Sequence, residues 1–102
     1  MINLYIKFNI FYGELKTAPL IEQCPVNLEC AVAHIIDLGS HDLVIGEIKE
    51  THVSENCLTD GKPDVQKIKP FHYVMDKGTF SYFDLGKFIG KAFQIGKELK
   101  KE

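Results

Sequence analysis

The sequence predicts a mainly β fold with one C-terminal α-helix, arranged as a small antiparallel barrel or strongly curved sheet. Two observations lead to this prediction. Apolar residues alternate with other residues near 2–12, 24–37 and 41–53, which is typical of strands with one buried face. Near the end of the chain, over residues 85–99, apolar residues instead recur at helical spacing.

The composition indicates one small globular domain over residues 1–102. The chain is 45% hydrophobic and 25% charged, close to the globular average. Its net charge of −2 provides no footprint for a nucleic acid, and no run approaches the ~20 apolar residues that span a membrane. All 12 basic residues are lysines, so no arginine is present to bind a phosphate with two hydrogen bonds. We therefore expect a soluble protein without nucleic-acid or membrane partners.

The first strand is predicted near residues 2–12. Asn3, Lys7 and Asn9 interrupt the apolar residues, and no basic region precedes them, so a secretion signal or membrane segment is disfavoured. The favoured interpretation is an edge or barrel strand that packs against the next two strands. Its alternating large residues are Ile2, Leu4, Ile6, Phe8, Ile10 and Tyr12.

A hairpin follows, with its turn at Gly39-Ser40. Glycine supplies the positive φ that a two-residue hairpin turn requires. This turn predicts that Leu38 lies opposite His41 and that His34 lies opposite Ile45. A β-bulge at Gly46 is predicted, which would bring Val32 against Ile48 instead of Glu47.

The three cysteines favour a reducing compartment, so we expect a cytoplasmic protein. Cys24 and Cys30 lie roughly 20 Å apart along one strand and cannot form a disulfide with each other, and Cys57 is alone in a loop. No CxxC motif supports zinc binding. The four histidines have no spacing typical of a metal site or a catalytic triad, and we predict no metal site.

The loop over residues 54–70 is polar and contains two prolines, and one helical turn is predicted after Asp64, which could cap it. Its acidic residues do not match a calcium-binding loop. Two short aromatic strands follow, with a turn at Gly78. Their rings could fill a core or stack on a planar ligand, and core packing is the favoured interpretation from the residues alone. The rings are Phe71, Tyr73, Phe80, Tyr82 and Phe83.

Four segments occur in an order that resembles the C-terminal half of the flavin reductase-like, or flavoredoxin, family. The segments are CPVNLEC, IIDLGSHDLVIGEI, DGKPDVQKIKPF and LGKFIGKAF. The resemblance covers residues 15–99 and implies a split β-barrel, present here in part, that binds FMN as a homodimer with the flavin near the subunit interface. Residues 1–14 would stand as a strand in place of the family's first half, so the chain resembles a truncated domain.

The resemblance also implies the site residues. His41 matches the family's histidine after the LGS turn, so it and Ser40 would lie near the flavin and the approaching nicotinamide, where an imidazole could donate a hydrogen bond. Phe71 or Tyr73 would supply a stacking ring. From the residues alone, the alternative is that His41 is a solvated turn histidine. The resemblance also implies that FMN binds weakly here, because the family's first half holds most of the cofactor contacts.

Two functional classes remain open. In the first, the chain is an FMN-dependent oxidoreductase, with electrons from NAD(P)H or from a redox partner protein. In the second, it is a truncated, non-catalytic paralogue that folds and dimerises without a functional flavin site. Sheet edges and apolar strand faces that a short chain cannot cover favour a homodimer in both classes.

Overall fold

The chain forms two compact units, Met1–Ile68 and Lys69–Glu102, and each is described by itself. The computed structural model describes residues 7–100, without the side chains of Glu98 and Lys100. Of the strand predicted near 2–12, residues 2–6 lie outside the described part, and the strand β1 covers only Ile10–Phe11. It pairs with β2, Leu20–Ile21, in an antiparallel ladder.

The first unit is dominated by the predicted hairpin. Its strands β3, Val26–Asp37, and β4, Asp42–Val53, are antiparallel and twelve residues long. His34 lies opposite Ile45 as predicted, and the backbone amide of Leu38 donates to the His41 carbonyl at 2.9 Å. Alternation and turn chemistry are therefore sufficient to define this hairpin near its turn.

The hairpin contains two irregularities rather than one. The first lies between Val32 and His34, where Ala33 on β3 has no partner, so Val32 faces Gly46 and not Ile48 as predicted. A second shift lies between Glu29 and Cys30, and beyond it the pairing returns to the count set by the turn. Gly46 serves a close approach: an added Cβ would lie 2.9 Å from the Cys30 Cβ. The bulge prediction was correct about the region and wrong about the bulged strand and about the partner of Val32.

Small elements complete the first unit. A 3₁₀ turn, Glu55–Cys57, leads into β5, Leu58–Thr59, which pairs with β6, Lys62–Pro63. The predicted helical turn follows as α1, Val65–Ile68, and the Asp64 carboxylate accepts the Gln66 amide at its start. A second hydrogen bond, from the Thr59 hydroxyl at 2.6 Å, holds the same carboxylate.

The second unit is an antiparallel ribbon of β7, Phe71–Asp76, and β8, Thr79–Asp84, joined at Gly78 as predicted. The predicted helix over 85–99 is wrong. Residues 85–91 have no regular structure, turns follow, and only a 3₁₀ turn, Lys97–Lys100, is helical. Phe93 and Gly96 have φ values of 67° and 84°, which an α-helix excludes. Three glycines weaken the segment further, and Phe93 is 94% exposed, so no packing compensates for them.

Few of the described side chains are buried, and most apolar side chains of the long strands are not among them. The buried side chains are Leu20, Glu29 and Cys57. Along β3 and β4, by contrast, large apolar side chains on both faces are exposed, including Val32 and Ile35 at 63% each. The described strands form four two-stranded sheets and no closed barrel. The fold is mainly β, as predicted.

Candidate functional site

The tip of the hairpin is a tight and well-bonded turn. Gly39 has a φ of 92°, a region that favours glycine, and its amide donates to the Asp37 carboxylate at 2.8 Å. The Leu38 amide bond to the His41 carbonyl closes the turn, and the Gly39 bond holds the residues just before it. The backbone at the tip is therefore fixed by local contacts alone.

The tip presents a serine and a histidine side by side. Ser40 Oγ and His41 Nδ1 lie 2.8 Å apart, and both residues are exposed. When the serine hydroxyl donates to Nδ1, the ring proton sits on Nε2, which then faces outward as a free donor. The predicted pair at the tip thus has the chemistry to donate one hydrogen bond to a ligand carbonyl.

The predicted stacking residues lie on one face of the ribbon in the second unit. Phe71 is 68% exposed and Tyr73 is 64% exposed. The Tyr73 ring lies parallel to Phe80, with centroids 5.6 Å apart and an interplanar angle of 8°. Phe71 meets Tyr82 edge to face at 5.2 Å. These rings form an exposed aromatic surface rather than the core that was the favoured interpretation from the residues alone.

A polar cluster at the base of the hairpin was not predicted. Glu29, on β3, is 0% exposed, and its carboxylate accepts three hydrogen bonds. Glu14 and Leu15 donate their backbone amides at 3.1 and 3.0 Å, and His52 Nε2 lies 2.5 Å from Oε2. Glu29 therefore anchors the loop that follows β1 to both strands of the hairpin.

The cluster is tightly enclosed. The His52 hydrogen bond, followed by the Leu15 amide, lowers the pKa of Glu29 below its ordinary value of 4.5. A Cβ placed on Gly13 would overlap Glu29 Oε2, so a larger residue there would require the carboxylate to shift. Phe11 meets the His52 ring edge to face at 5.6 Å. The carboxylate is thus held ionised by donors from two segments, the loop after β1 and strand β4.

Asn27, two residues before Glu29, performs a similar task for β2. Its side-chain Oδ1 accepts the Ile21 amide at 3.0 Å, and its Nδ2 donates to the Ile21 carbonyl at 2.9 Å. Asn27 and Glu29 share one face of β3, so here the polar face is the buried one. The sequence offered two signals: this pair of polar residues two apart in CPVNLEC, and the glycine at position 13 that ends the earlier segment FYG.

Comparisons with known proteins place these features in a family. The family described as "Flavin reductase like domain" matches residues 6–77. The chain belongs to this family. Among curated proteins, an uncharacterized protein from Archaeoglobus fulgidus is 44% identical over 48 residues, which are 46% of this chain and 26% of that protein.

Two solved structures extend the likeness of this flavin reductase-like chain to its fold. The flavoredoxin from Methanosarcina acetivorans is 40% identical with a TM-score of 0.78, over 90% of this chain and 48% of the other. The flavoredoxin of Desulfovibrio vulgaris (Miyazaki F) is 34% identical with a TM-score of 0.74, over 88% and 47%. The predicted family and split-barrel-like β fold are confirmed, and the chain spans about half the length of these flavoredoxins.

The described residues fit the ring system of a flavin better than its phosphate. The tip offers a hydrogen-bond donor, and the ribbon offers planar rings. Around the tip, however, Asp37 and Asp42 are both acidic and lie opposite each other, which disfavours a phosphate there. The tip belongs to the first unit and the ribbon to the second.

Two further properties bear on function. Within residues 7–100, no three side chains of the metal-binding types His, Cys, Asp and Glu are grouped so that they could hold a metal ion. In the same part of the chain, no helix has both the length and the apolar character needed to cross a lipid bilayer.

Proposed function

We propose that this flavin reductase-like chain binds FMN and serves in electron transfer or NAD(P)H-dependent flavin reduction. The observation that carries the proposal is the match to a flavoredoxin over 90% of the chain at 40% identity. The hairpin tip, with its exposed histidine, lies inside the segment that matches the family. FMN, when bound, would supply the hydride and single-electron chemistry that amino-acid side chains lack.

Candidate flavin contacts are proposed in each unit separately. His41 would donate from Nε2 to a flavin carbonyl, and Ser40 would keep the imidazole in that tautomer through its 2.8 Å hydrogen bond. Phe71 or Tyr73 would stack on the isoalloxazine ring, since both rings are exposed on one face of the ribbon. The electron donor would be NAD(P)H or a redox partner protein in the cytoplasm.

A homodimer is the second part of the proposal. Both faces of the β3–β4 hairpin carry exposed apolar side chains, and a contiguous exposed apolar surface is typical of an interface. An identical chain related by a two-fold axis is the simplest partner. Sedimentation should show a dimer at micromolar concentration, and a stable monomer would contradict this part.

We expect weak FMN binding. The chain contains no arginine, and charge-assisted hydrogen bonds of the kind that bind phosphate contribute about 1.5–3 kcal/mol each. Two missing contacts of this size would weaken binding by roughly two to four orders of magnitude, because about 1.4 kcal/mol corresponds to a factor of ten. The expected dissociation constant is therefore roughly micromolar or weaker.

The test is an FMN titration followed by quenching of flavin fluorescence. His41→Ala should weaken binding, with His34→Ala as the matched control because His34 is another exposed histidine of the hairpin. Tyr73→Ala should also weaken binding, with Phe83→Ala as the control on the opposite face of the ribbon.

Nanomolar affinity that neither substitution changes would contradict the assigned site. A folded protein that does not bind FMN would contradict the proposal and favour the alternative, a family member that dimerises without a functional flavin site.

A further inference from the structure

A small pocket lies beside the Glu29–His52 cluster, within the first unit and away from the hairpin tip. Its volume is about 190 Å³. Its apolar lining residues include Phe11, Pro25 and Val53, and its polar lining residues are Glu22, Asn27, His52 and Ser54. Drug-sized ligands occupy sites of about 300–1,000 Å³, so this pocket has room for one ring or one side chain.

The cluster determines which atom of His52 a ligand could use. A carboxylate only accepts hydrogen bonds, so the bond between Glu29 and His52 requires the proton on Nε2. In the neutral ring, Nδ1 is then an acceptor, and no described residue donates to it. Glu29 therefore orients the imidazole and fixes its tautomer, as carboxylates commonly do for functional histidines.

The charged residues around the pocket determine which ligand charge is favoured. Glu22 lines the pocket and is exposed, Glu29 lies behind His52, and no lysine is among the lining residues. Two carboxylates near one imidazole leave the region with a net negative charge whether or not the ring is protonated. An anion is disfavoured here, and a cation that donates N–H hydrogen bonds is favoured.

We infer that this pocket is a binding site for a flat amidinium or guanidinium group, which would donate to the Glu22 carboxylate and to His52 Nδ1. The planar cation would lie against the Phe11 ring, because guanidinium groups stack well on aromatic rings. None of the 102 residues is an arginine, so none of them can supply a guanidinium group. The inference does not depend on flavin binding.

The experiment is an NMR titration of the full chain at pH 8 with benzamidine, which carries a ring and an amidinium group. The ring resonances of His52 should shift with a dissociation constant of about 1 mM, whereas those of His34 should stay unchanged. Neutral benzamide should bind at least about threefold more weakly, which is the fold-change expected from losing one partly exposed charge pair.

Two variants test the named contacts. Glu22→Gln should weaken benzamidine binding by about threefold, and Glu55→Gln, an exposed acid outside the pocket, should leave it unchanged. His52→Phe keeps a ring against Phe11 and removes the acceptor, so it should also weaken binding. Each variant is used only if its amide spectrum shows the native fold.

A pair of short peptides distinguishes the two sources of the group. If acetyl-Gly-Arg-Gly-amide binds more tightly than benzamidine and its lysine counterpart does not, the ligand is an arginine of a partner protein. Benzamidine binding without peptide binding assigns the pocket to a free small molecule. The inference is overturned if benzamide binds as well as benzamidine, if the shifts lie outside the pocket, or if Glu22→Gln changes nothing.

Discussion

The base and the tip of the β3–β4 hairpin use polar residues in opposite ways. At the base, the Glu29 carboxylate is fully buried and accepts three hydrogen bonds from two other segments of the chain, the loop after β1 and strand β4. At the tip, the hydrogen bonds of Ser40 and His41 stay within the turn, and both side chains remain exposed. The difference indicates that the Glu29 carboxylate ties separate segments together, whereas the described side chains of Ser40 and His41 bond only to each other.

The contrast is tested most strongly by Glu29→Ala. The substitution removes the acceptor of two backbone amides and of His52, and leaves these part-buried donors without this partner. We expect this variant to lose more stability than either Gly13→Ala or His41→Ala. Urea unfolding followed by circular dichroism measures the loss, and a midpoint equal to that of the wild type would show that the base does not depend on this carboxylate.

Gly13→Ala should have the next largest effect. The new Cβ would overlap Glu29 Oε2 and lie 2.9 Å from His52 Nε2, so the cluster has to move. Overpacking of this kind costs about 1–3 kcal/mol of unfolding free energy. Gly86→Ala is the matched control, because nothing lies within 4 Å of its added Cβ and its φ is not positive. Equal urea midpoints for the Gly13 variant and the wild type would contradict the enclosed geometry.

Lowering the pH should selectively reduce the stability that the Glu29 cluster contributes at the base of the hairpin. Because the pKa of Glu29 in the folded state lies below its ordinary value of 4.5, its stabilising effect is complete above that value and is lost as the pH falls through the folded pKa. The difference in urea midpoint between wild type and Glu29→Gln should therefore shrink between pH 6 and pH 3. Asp64, whose pKa is also lowered, is present in both proteins and cancels from this difference. A constant difference would contradict the prediction.

His41→Ala should have the smallest effect on stability. Its side chain is exposed and bonds only to its neighbour, so we expect the unfolding free energy to change by less than about 0.5 kcal/mol. Flavin affinity should fall in the same variant. A loss of stability as large as that of Gly13→Ala would remove the distinction between the two ends of the hairpin.

The sequence was informative where local chemistry decides the structure. Alternation defined β3 and β4, Gly39 defined the turn, and the Asp64 cap placed α1. The C-terminal segment shows the opposite case, because apolar spacing predicts a helix only if another surface packs against it. Left-handed backbone at Phe93 and Gly96 prevents a continuous helix there.

The candidate site was predictable only in part. The LGS turn and the resemblance made His41 and Ser40 candidates, and the resemblance also made Phe71 or Tyr73 a candidate stacking ring; these four remain predictions. Glu29 was missed because a polar residue in an alternating strand is normally assigned to solvent. Its burial depends on amides that the loop after β1 supplies from 14 and 15 residues away, and no local pattern records such a contact.

The two irregularities of the hairpin have a joint consequence for the Glu29–His52 pair. Between the two irregularities the strand register is shifted by one residue. The second irregularity restores the original register, so Glu29 pairs with Glu50 and Asn27 pairs with His52. Had only the first slip occurred, the parity of β4 would be inverted at the base and His52 would project from the opposite face. The second irregularity therefore restores the register that places the His52 imidazole and the Glu29 carboxylate on the same side of the sheet.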